Sequence, residues 1–208
     1  MIIIGITGGL ATGKSTVAQM FGKLGAKVVN ADGIVHQLLR PRSICFEKVV
    51  KEFGKEILRS GQIDRKKLAD IVFKDIKKLR KLEGILHPQV KRIMKREINV
   101  YRKVKSKGVI VLDVPLLFEA GLEGQADYTI VVRASRKEQF KRAARLSLNK
   151  KEAFERIKIQ LPLSVKARLA DIIINNEESK KKTEKAVKKI WQTINKGGSA
   201  YGKISANQ

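Results

Sequence analysis

The chain has 208 residues, with 45 Lys and Arg against 20 Asp and Glu, which gives a formal net charge of +25. This length suits one α/β domain, and a chain of that size buries roughly 70% of its unfolded surface without needing covalent cross-links. The single cysteine, Cys45, excludes an internal disulfide framework and predicts a cytoplasmic protein. The opening apolar run is too short for a signal peptide or a membrane span, so we expect no membrane partner.

The positive charge has two interpretations. It would attract nucleic acid, and it would equally attract ATP and any phosphorylated co-substrate. Much of the excess is lysine on predicted helix faces, as at 77–81 and 180–182, and no aromatic residues are interleaved with these runs. Stacking on unpaired bases requires such residues, so the pattern favours a solvated surface over a nucleic-acid partner. The sequence is silent on the oligomeric state.

The first predicted element is a short apolar strand, Ile2–Ile6, which is followed by Gly8-Gly9-Leu10-Ala11-Thr12-Gly13-Lys14-Ser15. This stretch matches G-x-x-x-x-G-K-[ST], the phosphate-binding loop of nucleoside-triphosphate enzymes, and a helical pattern follows it. Lys14 can reach the β- and γ-phosphates, and the Ser15 hydroxyl can ligate Mg²⁺. A chance glycine-rich turn would lack these flanking elements. The pattern therefore predicts a triphosphate site and leaves the phosphate acceptor open.

A helical region occupies the middle of the sequence. The second strand, Lys27–Val29, ends at Asn30-Ala31-Asp32, and the helix after it stops at Pro41. From Phe46 to about Lys107 the pattern is helical almost throughout, with no convincing strand. In this stretch His87-Pro88 is predicted to begin a longer amphipathic helix, with His87 as a candidate cap.

Strands and helices alternate in the second half. Continuous apolar runs predict buried parallel strands at 109–112, 128–132 and 172–174. Helical patterns lie between and after them, at 137–148, 150–159, 164–169 and 179–194. This order predicts an α/β fold with a parallel five-stranded sheet between helices. We expect one unit over 1–195, with a core of 1–40 and 108–195, a helical acceptor-binding insertion over about 42–107, a lid over about 137–165, and a disordered tail over 196–208.

Polar residues follow three of the predicted strands, namely Asp32, Asp113 and Asn175. Ligands of open α/β sheets bind beyond the carboxyl ends of the strands, so these side chains are candidates to join the phosphate loop. Asp32 could accept a proton from an attacking hydroxyl or position that hydroxyl, and Asp113 could hold Mg²⁺ through water. A helix N-cap is the alternative role for either aspartate.

A basic cluster lies on the predicted lid helix. Arg142 and Arg145 are three residues apart, so they project from one helix face, with Lys141 beside them. They could clamp a transferring phosphoryl group from a segment that closes over ATP, and the alternative is a solvated basic face. No Cys/His cluster has the spacing of a metal site.

Several blocks resemble the dephospho-coenzyme A kinases, in that family's order, from residue 5 to about 176. Asp113-Val114-Pro115-Leu116-Leu117-Phe118-Glu119 and Leu86-His87-Pro88 are the most diagnostic blocks. The other matches are Gly5–Gly9, Gly13–Val17, Asn30-Ala31-Asp32, Gln139 with Arg142, Arg156-Ile157 with Gln160, and Ala170-Asp171 with Asn175.

The resemblance implies a P-loop kinase fold of the nucleoside-monophosphate-kinase type. It also implies ATP-dependent phosphorylation of the ribose 3′-hydroxyl of dephospho-coenzyme A, with Mg²⁺ as cofactor. By position, Asp32, Lys14 and Arg142 would be catalytic. The ATP site would comprise Gly8, Gly9, Ala11, Thr12, Gly13, Lys14, Ser15, Thr16, Arg142 and Asn175; the acceptor site Asp32, His87, Pro88, Pro115, Leu116 and Glu119; and the metal site Ser15 and Asp113.

Three positions depart from the family pattern. Asn30 replaces the first aspartate of Asp-Ala-Asp, so any base role falls on Asp32. Ala11 replaces a frequent loop glycine, and because alanine prefers negative φ we expect an unstrained backbone there. Leu146 replaces a second lid arginine, with Arg145 one place earlier and turned by about 100° on the helix.

Two other functions stay open from the sequence. One is a P-loop kinase of another small acceptor, such as a nucleoside monophosphate. The other is a basic nucleic-acid-binding protein that uses ATP as a switch, for which we find no recognition motif.

Overall fold

The computed structural model describes residues 1–105 and 107–195, together with the backbone of Ile204–Ser205. In chain order the elements are β1 (Ile2–Gly8), α1 (Lys14–Lys23), β2 (Lys27–Asn30), α2 (Ala31–Leu38), α3 (Ile44–Phe53), β3 (Leu58–Arg59), β4 (Gln62–Ile63), α4 (Arg65–Val72), α5 (Ile76–Val104), β5 (Val109–Asp113), β6 (Tyr128–Arg133), α6 (Arg136–Arg145), α7 (Lys150–Lys158), α8 (Leu163–Leu169), β7 (Ile172–Asn175), α9 (Lys180–Asn195) and β8 (Ile204–Ser205).

The chain divides into two compact units. The first comprises Met1–Asn30 and Tyr101–Gln208, and the second comprises Ala31–Val100. The second unit begins directly after β2, so it includes α2 with Asp32 as well as most of the region 42–107 that the sequence predicts to be a helical insertion.

The first unit is built on a parallel sheet with the strand order β2-β5-β1-β6-β7-β8. The prediction of five parallel strands flanked by helices is confirmed. The two-residue strand β8 is an addition, since it lies within the segment predicted to be a disordered tail and pairs with the open edge of β7. The rest of 196–208 lies outside the described residues.

The core of this unit lies where the central strands meet two helices. Ile4 and Ile6 of β1 are fully buried, as are most residues of β5 and β6, which explains the continuous apolar runs. Phe21 of α1 and Val187 and Trp191 of α9 belong to the same cluster, with Phe21 and Trp191 rings 6.5 Å apart. The sheet therefore packs against α1, and the first residues of α1 are the last residues of the phosphate loop.

The second unit contains a hairpin that the sequence analysis misses. Strands β3 and β4 pair antiparallel around Ser60 and Gly61, whose φ angles are 49° and 74°. Two successive left-handed residues form the type of turn that joins tight hairpins, and a Ser-Gly pair can adopt it. The expectation of no strand between Phe46 and Lys107 is therefore wrong.

Helix α5 is also longer than predicted. It begins at Ile76, capped by Asp75, whose Oδ1 accepts hydrogen bonds from the Lys77 and Lys78 amides at 2.9 and 3.3 Å. Pro88 lies inside it, so His87-Pro88 is neither the start nor the cap of this helix. A proline costs a helix about 3 kcal/mol. Here apolar side chains stay buried on both sides of it and offset that cost, at Leu79, Leu86, Val90, Met94 and Ile98.

Among the described helices, α5 included, none has both the length and the apolar character needed to cross a membrane.

Candidate active site

The phosphate loop connects β1 to α1 as the motif predicts. Gly13 has φ 89°, and a Cβ on Gly13 would collide with the Asn176 side chain. A Cβ on Gly8 would lie 2.5 Å from the Val132 carbonyl oxygen. Within the loop the Thr12 hydroxyl donates to the Gly9 carbonyl at 3.0 Å. Because the first amides of a helix have no partner within it, the start of α1 offers donors and positive potential to an anion.

Ala11 adopts a left-handed backbone with φ 56°, so the expectation of an unstrained loop at this residue is wrong. The conformation costs an L-residue roughly 1–2 kcal/mol, and glycine would avoid most of that cost. The loop must curl tightly between the end of β1 and the start of α1. Its path therefore imposes the left-handed turn on whichever residue stands at this position.

Lys14, Asp113 and Asn30 form a buried polar cluster at the sheet edge. The Lys14 ammonium pairs with Asp113 Oδ1, and Asn30 Nδ2 donates to Asp113 Oδ2 at 2.7 Å. Lys14 and Asp113 are 7% and 1% exposed, and Asn30 is in register with Asp113 on neighbouring strands. The next helical segment after Asp113 begins at Glu123, so the N-cap alternative for this residue is wrong. The amide of Asn30 supplies a donor that an aspartate would lack.

Arg142 of α6 reaches the phosphate loop. Its guanidinium donates to the carbonyl oxygens of Thr12 and Asn176 at 3.2 and 2.6 Å, and it lies 3.5 Å from Glu138. Arg145 is exposed at the last position of α6, so the structure brings one of the two predicted arginines to the loop. Lys141 is exposed and contacts Glu138.

Asn176 is a site residue that the sequence analysis missed. Its Nδ2 donates to the Thr12 carbonyl at 2.8 Å, and its Oδ1 accepts from the Thr183 hydroxyl at 2.8 Å. The predicted residue, Asn175, ends β7 and is half-buried. The sequence signal was present as two successive asparagines after a strand. Because side chains alternate along a strand, only one of the pair could face the loop.

Lys166 of α8 is the second missed residue. It is fully buried, and its ammonium donates to the Pro115 carbonyl at 2.9 Å and to Glu119 Oε1 at 2.8 Å. Burial lowers the pKa of Lys166, Glu119 opposes this shift, and the nearby charge of Lys14 lowers the pKa further. These contacts place Pro115 and Glu119 in the first unit with the phosphate loop. No sequence signal distinguishes this lysine from the many exposed ones.

The remaining predicted acceptor residues belong to two places. Leu116 is half-buried after β5 in the first unit. Asp32, His87 and Pro88 lie in the second unit, with Asp32 exposed in the first turn of α2. Burial lowers the pKa of His87, Glu83 opposes this shift, and Lys91 and Arg80 lower it further, so the imidazole is neutral at neutral pH.

The donor set suits magnesium bound together with phosphate. Throughout 1–105 and 107–195, no three His, Cys, Asp or Glu residues converge as a metal site. Mg²⁺ ordinarily binds through one or two protein oxygens plus substrate phosphates and water. The carboxylate of Asp113 and the exposed hydroxyl of Ser15 are oxygen donors of this kind.

Comparison with known proteins agrees with this geometry. A model of the dephospho-CoA kinase family matches residues 2–182. The dephospho-CoA kinase of Carboxydothermus hydrogenoformans is 42% identical over 194 residues, which cover 91% of this chain and 93% of that protein. A dephospho-CoA kinase structure from Campylobacter jejuni has a TM-score of 0.68 at 29% identity, over 94% of this chain and 98% of that one.

A likeness in fold alone extends to a shikimate kinase from Acinetobacter baumannii, with a TM-score of 0.51 at 14% identity over 96% of each chain. The family match covers nearly all of the described first unit as well as the whole second unit. The chain therefore belongs to the dephospho-CoA kinase family.

Proposed function

We propose that the protein transfers the γ-phosphoryl group of ATP to the ribose 3′-hydroxyl of dephospho-coenzyme A, which yields coenzyme A and ADP. The main support for this proposal is that the phosphate loop, Arg142 and the Asp113–Glu119 block come together in one unit of a chain of this family. Phosphoryl transfer depends mainly on positioning and on stabilising charge, and these residues supply both.

Arg142 is suited to stabilise the transferring group. Its two close hydrogen bonds go to backbone carbonyls, and the nearest carboxylate, Glu138, is 3.5 Å away. The carbonyls hold the guanidinium at the loop, and its ion pair with Glu138 is longer than these hydrogen bonds, so we expect a phosphate to compete for its charge. Lys14 exchanges its Asp113 partner for the β- and γ-phosphates in this proposal. The ATP site comprises Gly8, Gly9, Ala11, Thr12, Gly13, Lys14, Ser15, Thr16 and Arg142, and Asn176, whose amide contacts the loop, takes the place of the predicted Asn175.

Ser15 and Asp113 would hold Mg²⁺, which neutralises phosphate charge when it is bound. Asn30 keeps one oxygen of Asp113 fixed at 2.7 Å, so this carboxylate has a defined orientation without the metal.

Asp32 is the proposed general base. Its carboxylate accepts the proton of the 3′-hydroxyl as that oxygen attacks phosphorus and the bond to the ADP oxygen breaks. Asn30, the other polar residue of its block, cannot accept the proton because an amide is not a base at neutral pH. From the family resemblance, the residues proposed to bind the acceptor are Asp32, His87 and Pro88 of the second unit and Pro115, Leu116 and Glu119 of the first unit. Neutral His87 could both donate and accept a hydrogen bond there.

One assay tests the proposal. The protein is incubated with ATP and Mg²⁺ and with dephospho-coenzyme A, AMP, adenosine or shikimate in parallel, and ADP and the phosphorylated product are measured. We expect turnover with dephospho-coenzyme A. Turnover of another acceptor alone would identify a different P-loop kinase.

We expect the protein to be located in the cytoplasm, because its single cysteine is typical of a reducing compartment.

A further inference from the structure

Lys166 is a buried cation that the proposed chemistry does not use. It is fully buried on α8, although the other lysines and arginines of that helix and of α7 are exposed or partly exposed. Burying an ammonium group is unfavourable unless it is paired and hydrogen-bonded, and apolar residues often replace such a pair without loss of stability. Stability alone therefore does not explain this lysine.

Its contacts join three segments of the first unit. Lys166 donates to the Pro115 carbonyl at 2.9 Å, and Thr7, at the end of β1, donates its hydroxyl to the same oxygen at 2.9 Å. Lys166 also binds Glu119 Oε1 at 2.8 Å, and the Leu161 amide donates to that atom at 3.0 Å. The ammonium thus ties the loop after β5 to α8 and, through the shared oxygen, to the strand that leads into the phosphate loop.

Glu119 retains an unused acceptor in this arrangement. Its second oxygen, Oε2, is buried and has no hydrogen-bond partner among the described residues. Buried carboxylate oxygens are normally paired, and unpaired ones concentrate where a ligand or a catalytic role explains them. Lys166 fixes Oε1, so it also fixes the direction in which Oε2 points.

We propose that Lys166 is a positioning residue for phosphoryl transfer, which holds Pro115 and Glu119 in the orientation that the acceptor substrate requires. This inference rests on the proposed function. In the proposed reaction Lys166 touches neither ATP nor the acceptor, and it acts through Glu119 and the Pro115 carbonyl.

The test compares Lys166→Met and Lys166→Arg with Arg168→Met, an exposed cation on the same helix. We expect K166M to lower kcat/KM for dephospho-coenzyme A by on the order of 10²-fold while the Kd for ATP changes less than about threefold. K166R should recover part of the loss, and R168M should behave as the wild type. Wild-type activity in K166M, or an equal loss of ATP binding, would overturn the proposal.

A double variant separates positioning from folding. The K166M variant leaves the Glu119 carboxylate buried without its cation, so the Tm of this variant is expected to fall. The double variant, Lys166→Met with Glu119→Gln, removes that unpaired charge. We expect the double variant to regain Tm and to stay as inactive as the worse single variant, because both residues act as one unit. Recovery of activity together with Tm would assign Lys166 a structural role only. Absence of dephospho-coenzyme A turnover in the wild type would instead reject the proposed function.

Discussion

Asn176 donates a hydrogen bond to the Thr12 carbonyl at 2.8 Å across 164 positions of sequence, and the same carbonyl accepts from Arg142. The residue after β7 and a side chain of α6 therefore bind the same atom of the phosphate loop. The Thr183 hydroxyl on α9 donates to Oδ1 of Asn176 and so orients its side chain. The loop is thus fixed by contacts from the far end of the chain as well as by its own glycines.

Asn176→Ala is expected to weaken ATP binding about tenfold. Removing the amide leaves the Thr12 carbonyl with one donor fewer and the Thr183 hydroxyl without its acceptor, at a cost of about 1–3 kcal/mol. Equilibrium titration with ATP measures the effect, and Gln192→Ala on the exposed side of α9 is the control. Unchanged ATP affinity would show that this contact does not shape the loop.

Ala11→Gly is expected to stabilise the protein. The left-handed backbone at φ 56° costs alanine roughly 1–2 kcal/mol, and glycine in the unfolded chain costs roughly 0.5–1 kcal/mol in entropy, so a gain of about 0.5 kcal/mol remains. Urea denaturation measures the free energy of unfolding. Ala144→Gly in the exposed face of α6 should instead lose about 1 kcal/mol. A loss in both variants would contradict the strain at Ala11.

Arg142→Ala and Arg145→Ala form a matched pair on one helix. We expect R142A to lower kcat about 10²-fold without unfolding the protein, because a charge that contacts the phosphate loop is removed. R145A removes an exposed charge and should leave kcat within about twofold. Steady-state kinetics with circular dichroism distinguishes the two. A larger loss in R145A would show that the contacting arginine is not the catalytic one.

His87 makes stability depend on pH. Burial lowers its pKa from 6.5, so the unfolded chain takes up a proton at a higher pH than the folded protein does. The contribution of neutral His87 to stability is present above 6.5 and is lost as the pH falls through the lower, folded value. In urea denaturation, the free energy of unfolding should fall less between about pH 7.5 and about pH 5.5 in His87→Gln than in the wild type. His36→Gln is measured in the same way as a second histidine variant. Equal losses in H87Q and wild type would contradict the burial effect.

Asp32→Asn is expected to lower kcat by a factor on the order of 10²–10⁴, the usual range for a general base, with ATP affinity unchanged. Asp70→Asn, an exposed aspartate on α4, controls for the loss of one negative charge. A kcat near that of the wild type would show that Asp32 is not the general base and serves only in the first turn of α2.

The sheet and the phosphate loop could be predicted because their signals are local. Ile4, Val111 and Val131 lie in continuous apolar runs, which only strands buried on both faces require. The strand ends then placed Asp113 beside the loop, since carboxyl ends of parallel strands share one edge.

The errors arise where tertiary contacts overrule local preference. Pro88 ends a helix by its own chemistry, yet the buried face of α5 carries the helix through it. Alanine avoids φ 56°, yet the loop path imposes that angle on Ala11. Asn176 and Lys166 find partners 164 and 51 positions away, a distance over which one sequence offers no pairing signal.

Identification of the phosphorylated product is the most direct test of the proposed phosphoryl transfer. Purified protein is incubated with ATP, Mg²⁺ and dephospho-coenzyme A, and the product is examined by ³¹P NMR. We expect one new phosphomonoester on the ribose 3′-oxygen, formed in equal amount with ADP. ADP formation without that phosphomonoester, or a phosphate on another oxygen, would contradict it.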